Sequence, residues 1–269
     1  MTENFKNRAP LDAQLLEHEL LIRRCLWKKA IVNDEVTSTN DVARNLVETN
    51  SEEGTFVLAN YQTQGRGRQD RNWEAPKNSS VFLSIILKPN NQQNIGWIPL
   101  LIGLTILKIL QPETRKNIKI KWPNDLVLVE ESKEYKFAGI LLEKIKEDVV
   151  VGIGINFDQD KSELPIANAS SLKEILLTPM SKEALIAALL TELSARWNEE
   201  NNAENFPTPS TVRDYKSNCL TLNKEIEAII PGGKKIKAIA IDISSQGELV
   251  IKSENEVTKL SSADIHIVS

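Results

Sequence analysis

The segment VVVGIGINF, residues 149–157, alternates with a period of two, which predicts a β-strand with two different faces. One face is wholly apolar and consists of Val149, Val151, Ile153, Ile155 and Phe157. The opposite face consists of Val150, Gly152, Gly154 and Asn156. Glycine weakens a strand interior, so two glycines at alternate positions indicate that a helix or a ligand lies close against this face. Asn156 favours a ligand, because its amide offers a donor and an acceptor to the edge of a heterocycle.

Further strands and helices surround this segment. The strand-like segments are AIVNDEV (30–36), TFVLANYQ (55–62), SVFLSIILKP (80–89), IKIKW (118–122) and KFAGILLEKI (136–145). Helices are predicted for residues 11–29, 37–48, 97–110 and 181–200. The first has one face formed by Leu11, Leu15, His18, Ile22 and Leu26, and the third is almost wholly apolar. The second is capped by Ser38, Thr39 or Asn40, and the fourth by Ser181. No G-x-G-x-x-G opens a helix after a strand, which argues against a Rossmann fold. We expect an α+β fold, with helices beside a mixed or antiparallel sheet.

The pattern changes near the C-terminus. Residues 199–210 are rich in Asn, Glu and Pro and predict a surface linker. From Cys219 onward, short alternating strands are predicted in KEIEAII (224–230), KIKAIAIDIS (235–244), GELVIKS (247–253) and TKLSSADIHIV (258–268). The predicted division is therefore an N-terminal helix in residues 1–30, a catalytic-sized domain in residues 31–218, and a small β-barrel in residues 219–269.

Composition excludes several classes of function. The chain has 269 residues and a formal net charge of −4, which argues against a general nucleic-acid-binding protein. Its two cysteines are far apart, it has no secretory signal, and no apolar run approaches the roughly 18 residues of a membrane span, so we expect a cytoplasmic protein. Its two histidines, His18 and His266, have no metal-ligand spacing, so neither a zinc site nor serine–histidine catalysis is expected.

The segment QTQGRGRQDRNW, residues 62–73, concentrates arginine and glycine in an acidic chain. Gly65 and Gly67 let main-chain N–H groups approach a ligand, and Arg66, Arg68 and Arg71 add permanently charged bidentate donors. We expect a loop that closes over a phosphate or a carboxylate; the alternatives are a surface loop without a ligand and a nucleic-acid contact. Trp73 would anchor this loop in the core or stack on a base.

Two lysines accompany this loop. In IKWPND, residues 120–125, Lys121 and Asp125 either face a polar cleft or belong to an ordinary hairpin turn. Lys136 lies three residues before Gly139, and spacing alone favours a solvated strand end for it. Taken together, these residues indicate a histidine-free cleft with several cations, which suits nucleotidyl or phosphoryl transfer.

Five motifs in this order resemble the biotin protein ligases, the biotin–acetyl-CoA-carboxylase ligases: STN (38–40), GRGRxxRxW (65–73), KWPND (121–125), AGILLE (138–143) and VGIGIN (151–156). The resemblance extends strongly over residues 36–157 and, by pattern, to the C-terminal β domain. It implies a core like that of class II aminoacyl-tRNA synthetases and of biotin/lipoate ligases, followed by an SH3-like barrel.

The resemblance also implies a reaction. Biotin and ATP with Mg²⁺ would be substrates, giving biotinyl-5′-adenylate and pyrophosphate, after which a lysine of a biotin carboxyl carrier protein displaces AMP. No prosthetic group and no protein-only metal site are implied, and Mg²⁺ would lie near Asp125. A monomer or homodimer without nucleic-acid or membrane partners is expected. The alternatives are a lipoate or octanoyl ligase and a sensing module without turnover.

The family motifs assign roles residue by residue. The resemblance implies catalytic roles for Lys136, Arg66 and Arg68. The implied biotin-binding residues are Ser38, Thr39, Asn40, Gln62, Arg66, Gly67, Arg68, Lys136, Gly139, Gly152 and Gly154. The implied nucleotide-binding residues are Gly65, Arg68, Arg71, Trp73, Lys121, Asn124, Asp125 and Asn156. For Lys136, the resemblance reverses the surface position that spacing favoured.

Two features depart from parts of the family. The family loop commonly has glycine where this chain has Asp70, and aspartate tolerates a positive φ less well than glycine. Some members carry an N-terminal DNA-binding domain, but residues 1–30 are too few for its packed helices. We therefore expect a monofunctional ligase that does not bind operator DNA.

Overall fold

The computed structural model describes residues 8–254 and 256–268. It is built around a seven-stranded sheet in the order β1-β2-β3-β7-β6-β5-β4. The strands are β1 (Ala30–Val36), β2 (Phe56–Gln62), β3 (Ser80–Leu87), β4 (Ile118–Lys121), β5 (Asp125–Glu130), β6 (Lys133–Ile145) and β7 (Asp148–Asn156). The β1–β2 pair is parallel and the other pairs are antiparallel. The predicted mixed α+β fold is confirmed.

The central strand β7 has the two faces that its period-two pattern predicts. Val149, Val151, Ile153 and Ile155 are buried in the main hydrophobic core. Val150 points to the other side of the sheet and packs in a smaller cluster with Ala43 and Val47. The same alternation therefore directs the next residues of the second face, Gly152, Gly154 and Asn156, away from the main core.

The helices are α1 (Ala13–Ile22), α2 (Thr39–Glu48), α3 (Ile98–Leu110), α4 (Leu172–Ile175), α5 (Lys182–Asn201) and α6 (Pro209–Asn218). The predicted caps Ser38 and Ser181 are confirmed, since each side chain accepts a backbone N–H of the helix that follows. α2 packs against β2, β3 and β7, whereas α3 packs against β4, β5 and β6. The expectation that no apolar run approaches the length of a membrane span is wrong for the helical stretch Ile95–Glu113, which is long and apolar enough to cross a membrane. However, 61% of its most apolar window is buried inside the protein, as expected of a core helix.

The predicted orientation of the first helix is wrong. Leu15, Ile22 and Leu26 were expected on the buried face but are exposed, whereas Leu16 and Leu20 are buried. α1 begins after the Asp12 cap, is shorter than the predicted residues 11–29, and packs against α5. Apolar residues occur on more than one side of this helix, so periodicity alone does not identify the face that meets α5.

The predicted surface linker is also partly wrong. α5 continues to Asn201, and within the following stretch Phe206 is buried with its ring packed edge-on against Trp197. Glu200 is buried too, and its carboxylate accepts hydrogen bonds from the backbone N–H and hydroxyl of Thr208. The polar composition of this segment therefore serves a buried hydrogen-bond network at the start of α6 rather than a solvated linker.

The C-terminal residues form a second, antiparallel sheet in the order β11-β10-β9-β8-β12. Its strands are β8 (Glu225–Ile229), β9 (Lys235–Ile243), β10 (Leu249–Lys252), β11 (Val257–Leu260) and β12 (Asp264–Ile267). The predicted single strand 258–268 is therefore two strands, which lie at opposite edges of the sheet. No ladder joins β11 to β12 among the described residues, so the closed barrel that was predicted is not observed.

The turn between β9 and β10 attaches this second sheet to the core. The indole N–H of Trp97 donates to the carbonyl of Ser244 at 3.0 Å, and that of Trp122 donates to the carbonyl of Gly247 at 3.0 Å. Gly247 has a φ of +82°, and a Cβ there would lie 2.6 Å from the backbone of Gly96. These contacts fix the second sheet beside the end of β4, where the predicted site begins.

Candidate active site

The predicted site residues surround one cavity of about 700 Å³. It lies between the glycine-bearing faces of β6 and β7, the loop of residues 62–74, and strand β12. The predicted residues that line it are Ser38, Thr39, Asn40, Gln62, Arg66, Gly67, Arg68, Arg71, Trp73, Lys121, Asn124, Asp125, Lys136, Gly139, Gly152, Gly154 and Asn156. Gly65 does not line the cavity; its carbonyl accepts the backbone N–H of Trp73 and closes the base of the loop.

One end of the cavity is a buried polar network at the start of α2. Gln62 Oε1 accepts the backbone N–H of Thr39 at 2.7 Å. The hydroxyl of Ser84 lies 2.6 Å from Asn40 Oδ1 and 2.7 Å from Thr39 Oγ1. Asn40 Nδ2 donates to Glu143 at 2.9 Å. Because these groups orient one another, the polar end is fixed before any ligand binds.

Sequence reasoning missed two members of this network, Ser84 and Glu143. Ser84 is fully buried in β3, directly opposite Gly152 of β7. A polar residue inside the apolar strand SVFLSIIL was a usable signal, because alternation predicts that it shares a face with Phe82, which also lines the cavity. Glu143 ends the AGILLE segment and also binds Arg44 at 3.0 Å.

Of the two alternatives for the glycine face, a packed helix is found at Gly152, and a side chain of the protein covers Gly139 and Gly154. A Cβ on Gly152 would lie 2.4 Å from Asn40 Oδ1, so the first turn of α2 packs there. On Gly139 and Gly154, an added Cβ would lie 2.9 Å and 2.8 Å from the ring of Trp73. The indole of Trp73 therefore lies flat on a floor of bare backbone, at the inner wall of the cavity.

Lys136 points into the cavity because of an irregularity in β6. A regular strand would direct Lys136 and Gly139, which are three positions apart, to opposite faces. The β5–β6 register shifts between Leu126 and Val127, which pair with Ala138 and Lys136. This β-bulge inserts Phe137 as an extra residue, and the Lys136 side chain then passes 3.1 Å from the Cβ position of Gly139. The surface position that spacing favoured for Lys136 is wrong.

The charge of Lys136 is held by two partners. Its ammonium nitrogen lies 2.6 Å from Oδ1 of Asp125 and 5.4 Å from the centroid of the Trp73 ring. The second predicted lysine, Lys121, forms an ion pair with Glu134, and both of these residues line the cavity. Lys121 and Asp125 pair across the hairpin between β4 and β5 and also line the cavity, so both the hairpin turn and the polar cleft are observed.

The arginines of the loop contact three different parts of the protein. Arg66 binds Asp41 of α2 at 2.6 Å. Arg68 donates to Asn124 Oδ1 at 3.1 Å and to the hydroxyl of Ser262. Arg71 forms an ion pair with Asp264 at the start of β12. The loop is thus closed over the cavity by contacts to α2, to the β4–β5 turn and to the second sheet.

Arg68 is half-buried, whereas Arg66 and Arg71 are exposed. Loss of hydration lowers the pKa of its guanidinium from the ordinary value, and the nearby carboxylates of Asp125 and Asp264 oppose that change. Arginine still stays protonated at physiological pH. A cation that is partly shielded from water interacts more strongly with an anionic ligand than a fully exposed cation does.

The positive φ in the loop does not require the glycine that the family commonly has. The left-handed conformation falls on Gln69, with a φ of 55°, one residue before Asp70. A non-glycine residue in this conformation is uncommon and carries some strain. The strained position is therefore Gln69, and the replacement of the family's glycine by Asp70 falls on the next residue, which does not have a positive φ.

The second sheet contributes residues that sequence reasoning did not assign to the site. Ala263, Asp264, Ile265 and His266 line the cavity beside the loop, so the prediction of a histidine-free cleft is wrong. The alternating pattern of the C-terminal strands predicts a separate β domain and contains no signal of contact with the loop. The Trp97 and Trp122 anchors explain why they reach it.

Comparisons with known proteins identify the family to which this chain is similar. The model of the biotin/lipoate A/B protein ligase family matches residues 32–160, and that of the biotin protein ligase C-terminal domain matches residues 221–267. A biotin–[acetyl-CoA-carboxylase] ligase of Mycobacterium tuberculosis is 30% identical over 271 residues, with 98% of each chain covered. The bifunctional ligase/repressor BirA of Escherichia coli is 26% identical, over 97% of this chain and 80% of that protein.

A solved structure is also similar. The biotin protein ligase of Aquifex aeolicus in complex with biotin and ATP has a TM-score of 0.74 and 27% identity, over 90% of this chain and 99% of that one. The two family models together match most of this chain, and the relative from M. tuberculosis matches nearly all of it. This chain belongs to the biotin protein ligase family.

Proposed function

We propose that this protein activates biotin with ATP and transfers it to a lysine of a biotin carboxyl carrier domain. The observation that carries the proposal is that Lys136, Arg68, the glycine floor and the buried polar network all face one cavity. The relative from M. tuberculosis, which matches nearly all of this chain, is named a biotin–[acetyl-CoA-carboxylase] ligase, and the similar Aquifex structure contains biotin and ATP.

In the first step, a carboxylate oxygen of biotin attacks the α-phosphorus of ATP, the bond to the bridging oxygen breaks, and pyrophosphate leaves. Negative charge on the α-phosphate and the leaving group must be balanced in the transition state. We assign this role to Lys136, Arg66 and Arg68, which line the cavity as preorganised cations. The Asp125 contact fixes the ammonium of Lys136 before the substrates enter.

In the second step, the neutral ε-amine of the acceptor lysine attacks the carbonyl carbon of biotinyl-5′-adenylate. AMP leaves with the electrons of the cleaved C–O bond, and the amine nitrogen loses a proton, giving the amide. The mixed anhydride reacts with water, so its survival depends on the loop of residues 62–74 excluding water until the carrier arrives.

The two ends of the cavity suit the two substrates. The fixed hydroxyl and amide groups around Thr39 and Asn40 suit the ureido ring of biotin, because a buried polar ring needs hydrogen-bond partners. We assign Ser38, Gln62, Gly67, Gly139, Gly152 and Gly154 to the same substrate. Arg71, Trp73, Lys121, Asn124 and Asn156 are assigned to the nucleotide, and Gly65 is assigned a supporting role because it closes the base of their loop.

Mg²⁺ is proposed to enter as part of the ATP substrate. Magnesium is usually held by one or two carboxylates together with substrate phosphates. Asp125 is a carboxylate in the cavity beside the proposed phosphate-binding lysine, so this residue fits that pattern. The protein residues here would orient the triphosphate, while the metal supplies additional positive charge.

The remaining proposals concern organisation and context. We propose a catalytic domain in residues 31–218 and an SH3-like C-terminal domain in residues 219–269, preceded by an N-terminal helix. The acceptor is proposed to be a carrier domain of a biotin-dependent carboxylase, and the protein a cytoplasmic monomer or homodimer that acts without a membrane. The second sheet supplies part of the cavity wall, which supports a role for it in the reaction.

The decisive experiment is biotin-dependent exchange of radioactive pyrophosphate into ATP, with mass spectrometry of the small-molecule products. Biotinyl-5′-adenylate should form with biotin but not with octanoate or lipoate. The matched family model also covers lipoate ligases, but a fixed polar network suits a ureido ring better than an alkyl chain. Exchange that depends on octanoate or lipoate would favour a lipoate or octanoyl ligase. Binding of biotin or ATP without exchange would favour a sensing module.

A further inference from the structure

One wall of the cavity is an irregular segment after β7. Pro165, Ile166, Asn168 and Ala169 of this segment line the cavity, and we call residues 158–170 the wall segment. Its far end is bound to the main chain of Lys136: the Lys136 N–H donates to the carbonyl of Asn168 at 2.8 Å, and the Ser170 N–H donates to the Lys136 carbonyl at 2.9 Å. The wall segment therefore fixes the backbone from which the Lys136 side chain extends.

The wall segment also holds Asn156. The side chain of Asn156 donates to the carbonyl of Ser170 at 3.0 Å and accepts from Gln159 Nε2 at 3.3 Å. Its amide is thus bound to both ends of the wall segment. A displacement of this segment would change the orientation of a residue that we assign to the nucleotide.

The near end of the wall segment is held by an arginine outside the cavity, Arg8. Its guanidinium binds Glu163 through both carboxylate oxygens, at 3.1 and 2.6 Å, and binds the side chain and carbonyl of Asp158, at 3.1 and 2.7 Å. The Arg8 side chain is only 6% exposed. Glu163 in turn accepts the backbone N–H of Asp160 at 2.8 Å, so this one carboxylate joins Arg8 to a turn of the wall segment.

Arg8 is itself rigidly attached to the core. Its carbonyl accepts a hydrogen bond from Asn78 Nδ2 at 2.8 Å. The neighbouring Ala9 carbonyl accepts from Lys182 at 3.3 Å, and the same ammonium binds the carbonyl of Asn78 at 3.1 Å. A fixed backbone and a bidentate side chain make Arg8 a precise connection between the core and the wall segment.

We propose that Arg8 is a positioning residue for the nucleotide end of the active site. It acts through the wall segment on Asn156 and Lys136, and it touches no substrate. The polar network of Thr39, Asn40 and Gln62 is instead held by Ser84 and Glu143, which lie on β3 and β6 and not in the wall segment, so biotin binding is expected to depend on Arg8 much less. This inference rests on the proposed function.

The test compares Arg8→Gln, Arg8→Lys and the control Arg23→Gln. Arg23 also pairs with a glutamate, Glu19, but on the exposed side of α1. Pyrophosphate exchange gives the KM for ATP and for biotin, and thermal unfolding reports stability. We expect Arg8→Gln to raise the KM for ATP about tenfold, as loss of outer supporting contacts commonly does. The KM for biotin of Arg8→Gln, and both KM values of the control Arg23→Gln, should change less than twofold.

Lysine lacks the bidentate fork of arginine, so Arg8→Lys should restore only part of the ATP affinity. Glu163→Gln should raise the KM for ATP as Arg8→Gln does, and the double variant should be no worse than either single one. This second route also tests the inference if Arg8→Gln does not fold. Unchanged KM values, or equal rises for both substrates together with a lower melting temperature, would overturn it. Absence of exchange in the wild-type protein would instead refute the proposed function.

Discussion

Lys136 Nζ lies 2.6 Å from Oδ1 of Asp125, and the two residues reach this position from neighbouring strands that are out of regular register. The bulge at Phe137 turns the lysine toward the cavity, and the start of β5 presents the carboxylate to it. In this arrangement the cation is oriented before a substrate arrives, which lowers the reorganisation needed in the transition state.

Replacement of Lys136 by alanine should slow adenylate formation by about 10²–10³, the usual effect of losing one electrostatic donor to a developing charge. Pyrophosphate release in a single turnover measures this step directly. Lys116→Ala is the matched control, because Lys116 also pairs with a carboxylate, that of Glu130, but does not line the cavity. An unchanged rate of the first step in Lys136→Ala would show that the lysine has another role.

Gly152→Ala should weaken biotin binding. The new Cβ would lie 2.4 Å from Asn40 Oδ1, and Asn40 cannot move away without losing its bonds to Ser84 and Glu143. Loss of a well-formed polar contact in a binding site typically costs tenfold or more, so we expect the KM for biotin to rise by about tenfold at least. The KM for ATP should change much less.

Gly103→Ala is the control for Gly152→Ala, because here the added methyl group is expected to stabilise the protein and leave biotin binding unchanged. Gly103 lies in α3, and its added Cβ would make ordinary contacts, with Ile120 at 3.5 Å and Ile140 at 3.7 Å. Alanine in a helix interior is favoured over glycine by about 0.5–1 kcal/mol, so the melting temperature should rise and activity should not change. If both alanine variants lost activity equally, the cavity would not explain the effect at Gly152.

The parts of the molecule that were predicted correctly depend on local chemistry. Period-two alternation identified both faces of β7, and the Ser38 and Ser181 caps follow from the hydrogen bonds that a helix start requires. The orientation of Lys136 could not be predicted in this way, because a bulge depends on the register of the partner strand. Only the family resemblance, which places a functional lysine before AGIL, corrected that expectation.

Errors in the fold occurred where two arrangements have similar local patterns. The first helix is apolar on more than one side, and only packing against α5 buries Leu16 and Leu20 rather than Leu15 and Ile22. The contact of the second sheet with the cavity depends on the Trp97 and Trp122 hydrogen bonds to a distant turn. Contacts between residues so far apart in the chain leave no periodic signal in either segment.

Arg68→Gly should let the adenylate leave before the carrier arrives. The variant removes hydrogen bonds from a half-buried guanidinium to Asn124 and to Ser262, and each bond of a charged group contributes about 1.5–3 kcal/mol. We therefore expect at least about tenfold faster release of biotinyl-5′-adenylate. Labelling of lysines on an unrelated protein added to the assay measures the escape.

The control for this prediction is Arg115→Gly, since Arg115 is exposed and does not line the cavity. It should label the carrier lysine as selectively as the wild-type protein does. Labelling by Arg68→Gly that stayed confined to the carrier lysine would contradict a retaining role for Arg68.

The Arg8–Glu163 contact should make stability depend on pH in a defined direction. Hydrogen bonding to Arg8 lowers the pKa of Glu163 from its ordinary value of 4.5, and although burial opposes this change, the backbone of Asp160 and the charge of Arg8 lower the pKa further. A carboxylate with a lowered pKa in the folded state contributes stability that is complete above its unfolded value. That contribution is lost as the pH falls below about 4.5 and through the folded-state pKa.

Urea unfolding of the wild type and of Glu163→Gln, from pH 7 down to pH 3.5, measures this dependence. The wild type should be more stable at pH 7, and its advantage should shrink steadily below about pH 4.5, because protonated glutamate resembles glutamine in charge. Urea unfolding of Glu52→Gln, a variant at an exposed glutamate, over the same pH range shows how much stability changes with pH for reasons unrelated to the Arg8–Glu163 ion pair. An advantage that stayed constant across this range would mean that the ion pair does not stabilise the folded state, and Arg8 would then hold the wall segment through its bond to the Asp158 carbonyl.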